Sequence, residues 1–260
     1  MNRFVAAGIA AGATRLALPL LRQAQPGGRE RWDRTNHAGR TVSLLEGPAV
    51  VLGAATTALG SPAAGLSALA AGALGVVDDL AGDTDRKGLK GHLSALAQGD
   101  VTTGAVKILG LGATGAVAAA TIDRGRWSPS TIAAAGLVAG TANLLNLFDL
   151  RPGRALKVSL LLGVPTAISG SAPAAGLVGA SIAALPEDLR GETMMGDTGA
   201  NALGALAGVA LAERLPGAGR WVALGAVVGL TMASERVSFS AVIARTPVLA
   251  QIDAWGRPRT

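Results

Sequence analysis

Nine apolar stretches alternate with short polar gaps along the chain. They cover about 4–21, 42–60, 62–80, 102–122, 128–148, 155–170, 172–186, 197–213 and 217–234. Each is close to the ~20 residues that cross a bilayer as a helix. Gly60-Ser61-Pro62 and Gly170-Ser171-Ala172-Pro173 divide two long uncharged runs, because a helix does not continue through such a turn. The pattern predicts an all-α, polytopic membrane helical bundle of about nine transmembrane helices. It reads as a single domain over 1–260 with a polar tail at 235–260. Arg15 interrupts the first stretch, where a cleaved signal peptide is the rival reading. Its polar N-terminal region is minimal and it runs straight into a basic loop, so an uncleaved helix is expected.

Composition agrees with a bilayer setting. Of 260 residues, 50% are hydrophobic and only 15% charged, against about 25% charged in soluble domains. The mean hydropathy is +0.43. Cysteine is absent, which excludes disulfides and thiolate-bound zinc. Ala and Gly dominate the apolar runs and permit close helix contact in lipid; a homodimer is compatible with that. The net charge of +6 does not point to nucleic acid, because the basic residues sit in the gaps between apolar runs. Those gaps are 22–40, 81–101, 149–157, 187–196 and the tail, while 61, 123–127, 171 and 214–216 are short or nearly neutral. The positive-inside rule then puts the N-terminus outside and the C-terminus in the cytoplasm. The tail is expected to lie on the membrane surface as a short amphipathic segment.

The same alternation brings the polar motifs to the cytoplasmic face. Asp78 and Asp79 end an apolar run that has carried no charge since Glu46. Two like charges beside a medium that solvates neither call for a cation, usually Mg²⁺. A basic loop with Lys87 and Lys90 follows. Asn143, Asn146 and Asp149 are spaced three and three, so they stack down one helix face. Met195-Gly196-Asp197-Thr198-Gly199 sets an acid at a helix start, with backbone N–H groups suited to phosphate. Carboxylates for a metal, lysines for phosphate and amides for a nucleoside form a phosphoryl-transfer kit. His37 and His92 are too far apart to make a metal site. Gly110-Leu-Gly112-Ala-Thr-Gly115 matches the dinucleotide fingerprint, but it lies in an apolar helix with no strand before it.

From Asn36 to Asn201 the chain resembles the polyprenyl-phosphate N-acetylhexosamine-1-phosphate transferases, which include the phospho-N-acetylmuramoyl-pentapeptide transferase of peptidoglycan synthesis. The likeness rests on Asn36 to Gly47, on Asp78-Asp79, on Lys87-Gly-Leu-Lys90-Gly, on Asn143-Leu-Leu-Asn146-Leu-Phe-Asp149 and on Met195-Gly-Asp197. It implies transfer of a sugar-1-phosphate from a UDP-sugar to polyprenyl (undecaprenyl) phosphate, with Mg²⁺ and release of UMP, at a bacterial-type plasma membrane. It further implies Asp197 and Asp78 as metal ligands, and Asp78, Asp79 and Asp149 as catalytic carboxylates. Lys87 or Lys90 would hold the diphosphate, and Asn143 and Asn146 the nucleoside. The chain departs from the family where Pro152 replaces a second acid after Asp149, and where Ser234 to Ser240 stands in place of a late histidine-rich motif.

Two other functions are carried forward. A non-catalytic relative would bind polyprenyl phosphate or a partner enzyme. A secondary transporter would place its acids near the bilayer midplane and show an internal repeat; here the acids lie at helix ends and no repeat stands out.

Overall fold

The computed structural model describes residues 1–36, 39–81 and 103–258. Helix α1 (Arg3–Ala24) starts at Asn2, whose side chain accepts the Phe4 N–H. A 3-10 turn (Arg29–Arg31) leads to an antiparallel hairpin, β1 (Asp33–Thr35) and β2 (Thr41–Ser43), with Arg34 opposite Val42. Then come α2 (Glu46–Ala55), α3 (Pro62–Ala81), α4 (Thr103–Ile122), α5 (Pro129–Phe148), α6 (Arg154–Ile168) and α7 (Ala172–Leu189). The chain ends with α8 (Gly196–Arg214), α9 (Gly217–Ser234), α10 (Phe239–Arg245) and α11 (Pro247–Ala254). Apart from the small hairpin, the architecture is all-α.

Every predicted apolar segment contains a helix, but they are unequal. Arg3–Ala24, Pro62–Ala81, Gly104–Ile122 and Pro129–Phe148 are each long and apolar enough to cross a membrane. A fifth candidate joins α9 to α10 across a bend of 92°. The 42–60 segment is not one helix: β2 takes its start, and α2 has ten residues before a 3-10 turn at Thr56–Leu59. Ten residues rise ~15 Å, about half the hydrocarbon thickness. Local chemistry sets several starts. Ser128 and Thr131 form a capping box ahead of α5, with Pro129 in its first turn, and Ser171 caps α7.

Helix α8 is the hub, packed against α2, α3, α5, α6 and α7. Fifteen of its 19 residues are buried, most of them Ala or Gly, so it is apolar all round as an enclosed helix must be. Small residues set the helix spacing. A Cβ on Gly75 of α3 would run into the backbone of Asp197 and Thr198. Outside this core, Leu16, Val117, Leu161 and Val222 point outward and are more than half exposed, as expected of a surface meant for lipid. The fingerprint-like Gly110 lies mid-α4 against Leu74 and serves helix packing.

Candidate active site

Up-and-down connectivity brings the ends of successive helices to one end of the bundle. The C-terminal turn of α3 supplies Asp78 and Asp79, and the first turn of α8 supplies Asp197. Lys107 in the first turns of α4 lies between them. Its Nζ donates to Asp78 Oδ2 at 3.0 Å and to Asp197 Oδ2 at 2.8 Å. The ammonium side chain is only 12% exposed, and the two carboxylates about twice that. Two acceptor oxygens from helices far apart in sequence therefore converge on one cation position.

Asp79 has a different task from Asp78. Its Oδ1 accepts the Asp197 N–H at 3.0 Å, and its Oδ2 accepts the Thr198 N–H at 2.9 Å and the Thr198 hydroxyl at 2.6 Å. A side chain from α3 thus caps the N-terminus of α8, where unpaired N–H groups favour an anion. Arg34 of β1 donates to the Asp79 carbonyl and ties the hairpin to this corner. Gly196 makes the corner possible. Its φ is +59°, and a Cβ there would sit 2.8 Å from both Asp79 oxygens.

Behind the pair lie further acids. Asp149, at the C-cap of α5, accepts the Gly196 N–H and lies close enough to Asp188, Asp197 and Asp79 to feel their charge. Its Oδ2 is buried with no hydrogen-bond partner among the described residues. Asp188 of α7 accepts the Gly153 N–H at 3.1 Å. Glu46, fully buried at the start of α2, accepts the Thr193 hydroxyl, and its Oε1 has no partner among the described residues. A cavity of about 310 Å³ opens over this corner, lined by Asp79, Asp149, Asp188, Arg34, Asn36 and Pro152, among others. Glu46, Asp149 and Asp188 thus cluster as carboxylates, two of them with an oxygen that has no partner among the described residues, an imbalance that a cation or a donor-rich ligand relieves.

No family model matches the chain, and no curated protein matches it.

The structure brings together four of the predicted site residues, Asp78, Asp79, Asp149 and Asp197. Asn143 and Asn146 are half-buried on α5 and do not line the cavity. Lys87 and Lys90 lie outside the described residues, as do His37 and His92. Among the described residues, no three acidic or histidine side chains are disposed to hold one metal ion. The donor set is nonetheless all carboxylate, the hard-oxygen chemistry Mg²⁺ takes, and Mg²⁺ normally draws its remaining ligands from water and substrate phosphate.

Sequence reasoning gives no role of their own to Lys107, Thr198, Asp188 or Glu46. Lys107 carries the only charge between 101 and 122, and an ionisable group inside an apolar helix is a site candidate by default. Glu187-Asp188 closes an apolar run just as Asp78-Asp79 does.

Toward the other end of the same helix pair from the ionic corner lies an apolar groove of about 550 Å³, lined by Ala63, Leu66 and Ala70 of α3 and by Ala113 and Val117 of α4, among others. These two helices also carry Asp78 and Lys107, so groove and charge lie along one helix pair.

Proposed function

We propose that the chain is an integral membrane phosphotransferase that moves a sugar-1-phosphate from a UDP-sugar to polyprenyl phosphate. The convergence of Asp78 and Asp197 on one cation position, at 3.0 and 2.8 Å from Lys107 Nζ, carries this reading. The apolar groove between α3 and α4 lies farther along the helix pair that carries Asp78 and Lys107, and it offers a surface for a prenyl chain. The motif resemblance names the donor class. In this reading nine helices cross or enter the bilayer, the N-terminus lies outside, and the acidic corner faces the cytoplasm.

The acceptor's phosphate monoester has a second pKa near ~6, so it arrives mostly dianionic and needs little help from a base. One of its oxygens bonds to the β-phosphorus of the donor. The bond from that phosphorus to the bridging oxygen breaks, and UMP leaves with the electron pair. The obstacle is the meeting of two anions at a corner already rich in carboxylates. Lys107 turns its ammonium from Asp78 and Asp197 to the incoming phosphates. Asp78 and Asp197 are the residues that would hold Mg²⁺, which when bound supplies positive charge to phosphate oxygens. Asp149, with a buried oxygen that has no partner among the described residues, orients the acceptor or takes its residual proton. Asp79 holds the first turn of α8 in place. Lys87 or Lys90 and the amides Asn143 and Asn146 keep their proposed roles with the diphosphate and the nucleoside.

The test is UMP release from UDP-N-acetylglucosamine or UDP-N-acetylmuramoyl-pentapeptide with undecaprenyl phosphate. Wild type is expected to release UMP only with Mg²⁺, and Asp197→Asn to be at least about 100-fold slower, as when a charge-stabilising group is lost. Equal, slow release from both proteins would sink the catalytic reading for those donors. A second reading, a non-catalytic binder of polyprenyl phosphate, is favoured by the occupation of the cation position by Lys107 itself. Lipid-phosphate binding without UMP release would select it.

A further inference from the structure

The polarity of the last two helices is inverted. On α11, Val248 and Ile252, with Trp255 just beyond, recur at i, i+4 and i+7; they are 65%, 54% and 71% exposed. The polar side of the same segment faces the protein. Asp253 accepts Arg154 Nε at 2.7 Å and Nη2 at 3.1 Å, and it pairs with Arg257 at 3.0 Å. Lys157 donates to the carbonyls of Ile252 and Asp253 at 3.0 and 2.7 Å. Ser240 of α10 accepts Arg154 Nη1 at 2.8 Å, while Phe239 stacks on Phe148 with ring centroids 4.7 Å apart. Val242 of α10 points outward. In water this arrangement wastes apolar burial, since the greasy side has no partner and the ions are desolvated.

A bilayer interface resolves both costs. Helix α10 leaves α9 at 92°, so if α9 crosses the membrane α10 runs in its plane. Helix α9, which leads into the arm, also turns Val228, Leu230 and Met232 outward. Trp255 at the end of the segment suits the headgroup boundary, where amphipathic rings concentrate. We propose that α10 and α11 form an in-plane arm, seated at the membrane interface with Val242, Val248, Ile252 and Trp255 in the acyl boundary. The arm is strapped to the start of α6 through Arg154 and Lys157, and Arg257 donates to Pro152, a residue lining the acidic cavity, at 2.8 Å. The interface thereby reaches the turn that follows Asp149. This inference does not depend on the chemistry proposed above.

The natural absence of cysteine permits clean labelling of the full chain. Val248→Cys, Ile252→Cys and, as a loop reference, Arg190→Cys would each carry a nitroxide in phosphatidylcholine–phosphatidylglycerol nanodiscs. Power saturation with oxygen and with a water-soluble nickel chelate reads which phase each label meets. The oxygen-to-nickel accessibility ratio is expected to be several-fold higher at 248 and 252 than at 190. Nickel-dominated relaxation at 248 and 252 equal to that at 190 would overturn the proposal. So would exclusion of both reagents there, the sign of a second polypeptide covering the arm.

Discussion

Replacing Asp79 by Asn separates the two halves of the aspartate pair. The Asp79 carboxylate accepts three hydrogen bonds at 3.0, 2.9 and 2.6 Å from the first turn of α8. An amide keeps one acceptor oxygen and turns an NH₂ toward a donor, so at least one charge-assisted bond is lost and the charge at the helix N-terminus goes with it. Such a bond contributes about 1.5–3 kcal/mol and the charge a further 0.3–1 kcal/mol, so the loss is about 2–4 kcal/mol. For a chain of this size that lowers the unfolding midpoint by about 4–16 °C. The assay is thermal unfolding of the detergent-solubilised protein, followed by circular dichroism and by intrinsic tryptophan fluorescence. Asp78→Asn is the comparison, since its carboxylate faces Lys107, which keeps Asp197 as partner; it should move the midpoint less than half as far. Equal shifts for the two variants, or none for Asp79→Asn, would refute the division of labour drawn from this geometry.

Three further outcomes are expected. Lys107→Met frees Asp78 and Asp197 to share a divalent ion, so calorimetric titration should show tighter Mg²⁺ binding than wild type; weaker binding would show that the lysine does not compete for that position. Gly196→Ala must hold a positive φ, at a cost of about 1–3 kcal/mol, and must push Asp79 aside, so chemical denaturation should find it clearly less stable. Asp123 accepts hydrogen bonds from Arg220 at 2.9–3.1 Å and from the Thr131 hydroxyl, which hold its carboxyl below the ordinary range. A depressed native pKa stabilises the fold above the unfolded value, about 3.9, and that contribution is lost as pH falls through the native value. Asp123→Asn should therefore be less stable near neutrality and lose less on acidification below about pH 4, as read by unfolding midpoints across a pH series.

The helices were legible because apolar runs and Gly-Ser-Pro breaks are local signals. Every one of the nine stretches holds a helix, and the Gly170–Pro173 break falls where α6 ends and α7 begins. The shortness of α2 was not legible. Residues 42–60 carry no charge apart from Glu46, and what cuts the helix short is tertiary: β2 pairs with β1, and its Ser43 N–H reaches the Glu192 carbonyl at 3.3 Å. The grouping of Asp78, Asp79, Asp149 and Asp197 followed from counting helices, since alternate ends share a side. The different duties of Asp78 and Asp79 did not follow, because adjacent residues on a helix point about 100° apart and only their neighbours decide which one caps α8. Lys107 hides inside an apolar run, where its solitude is the one local signal.

The joint between α3 and α8 is defined by atoms that are not there. With Gly75 bare against the backbone of Asp197 and Thr198, the two helices touch main chain to main chain. A contact of that kind has no rotamers to flip and nothing to compress, so it behaves as a fixed weld rather than a bearing. That weld fixes the register of the two helix ends that carry Asp78 and Asp197.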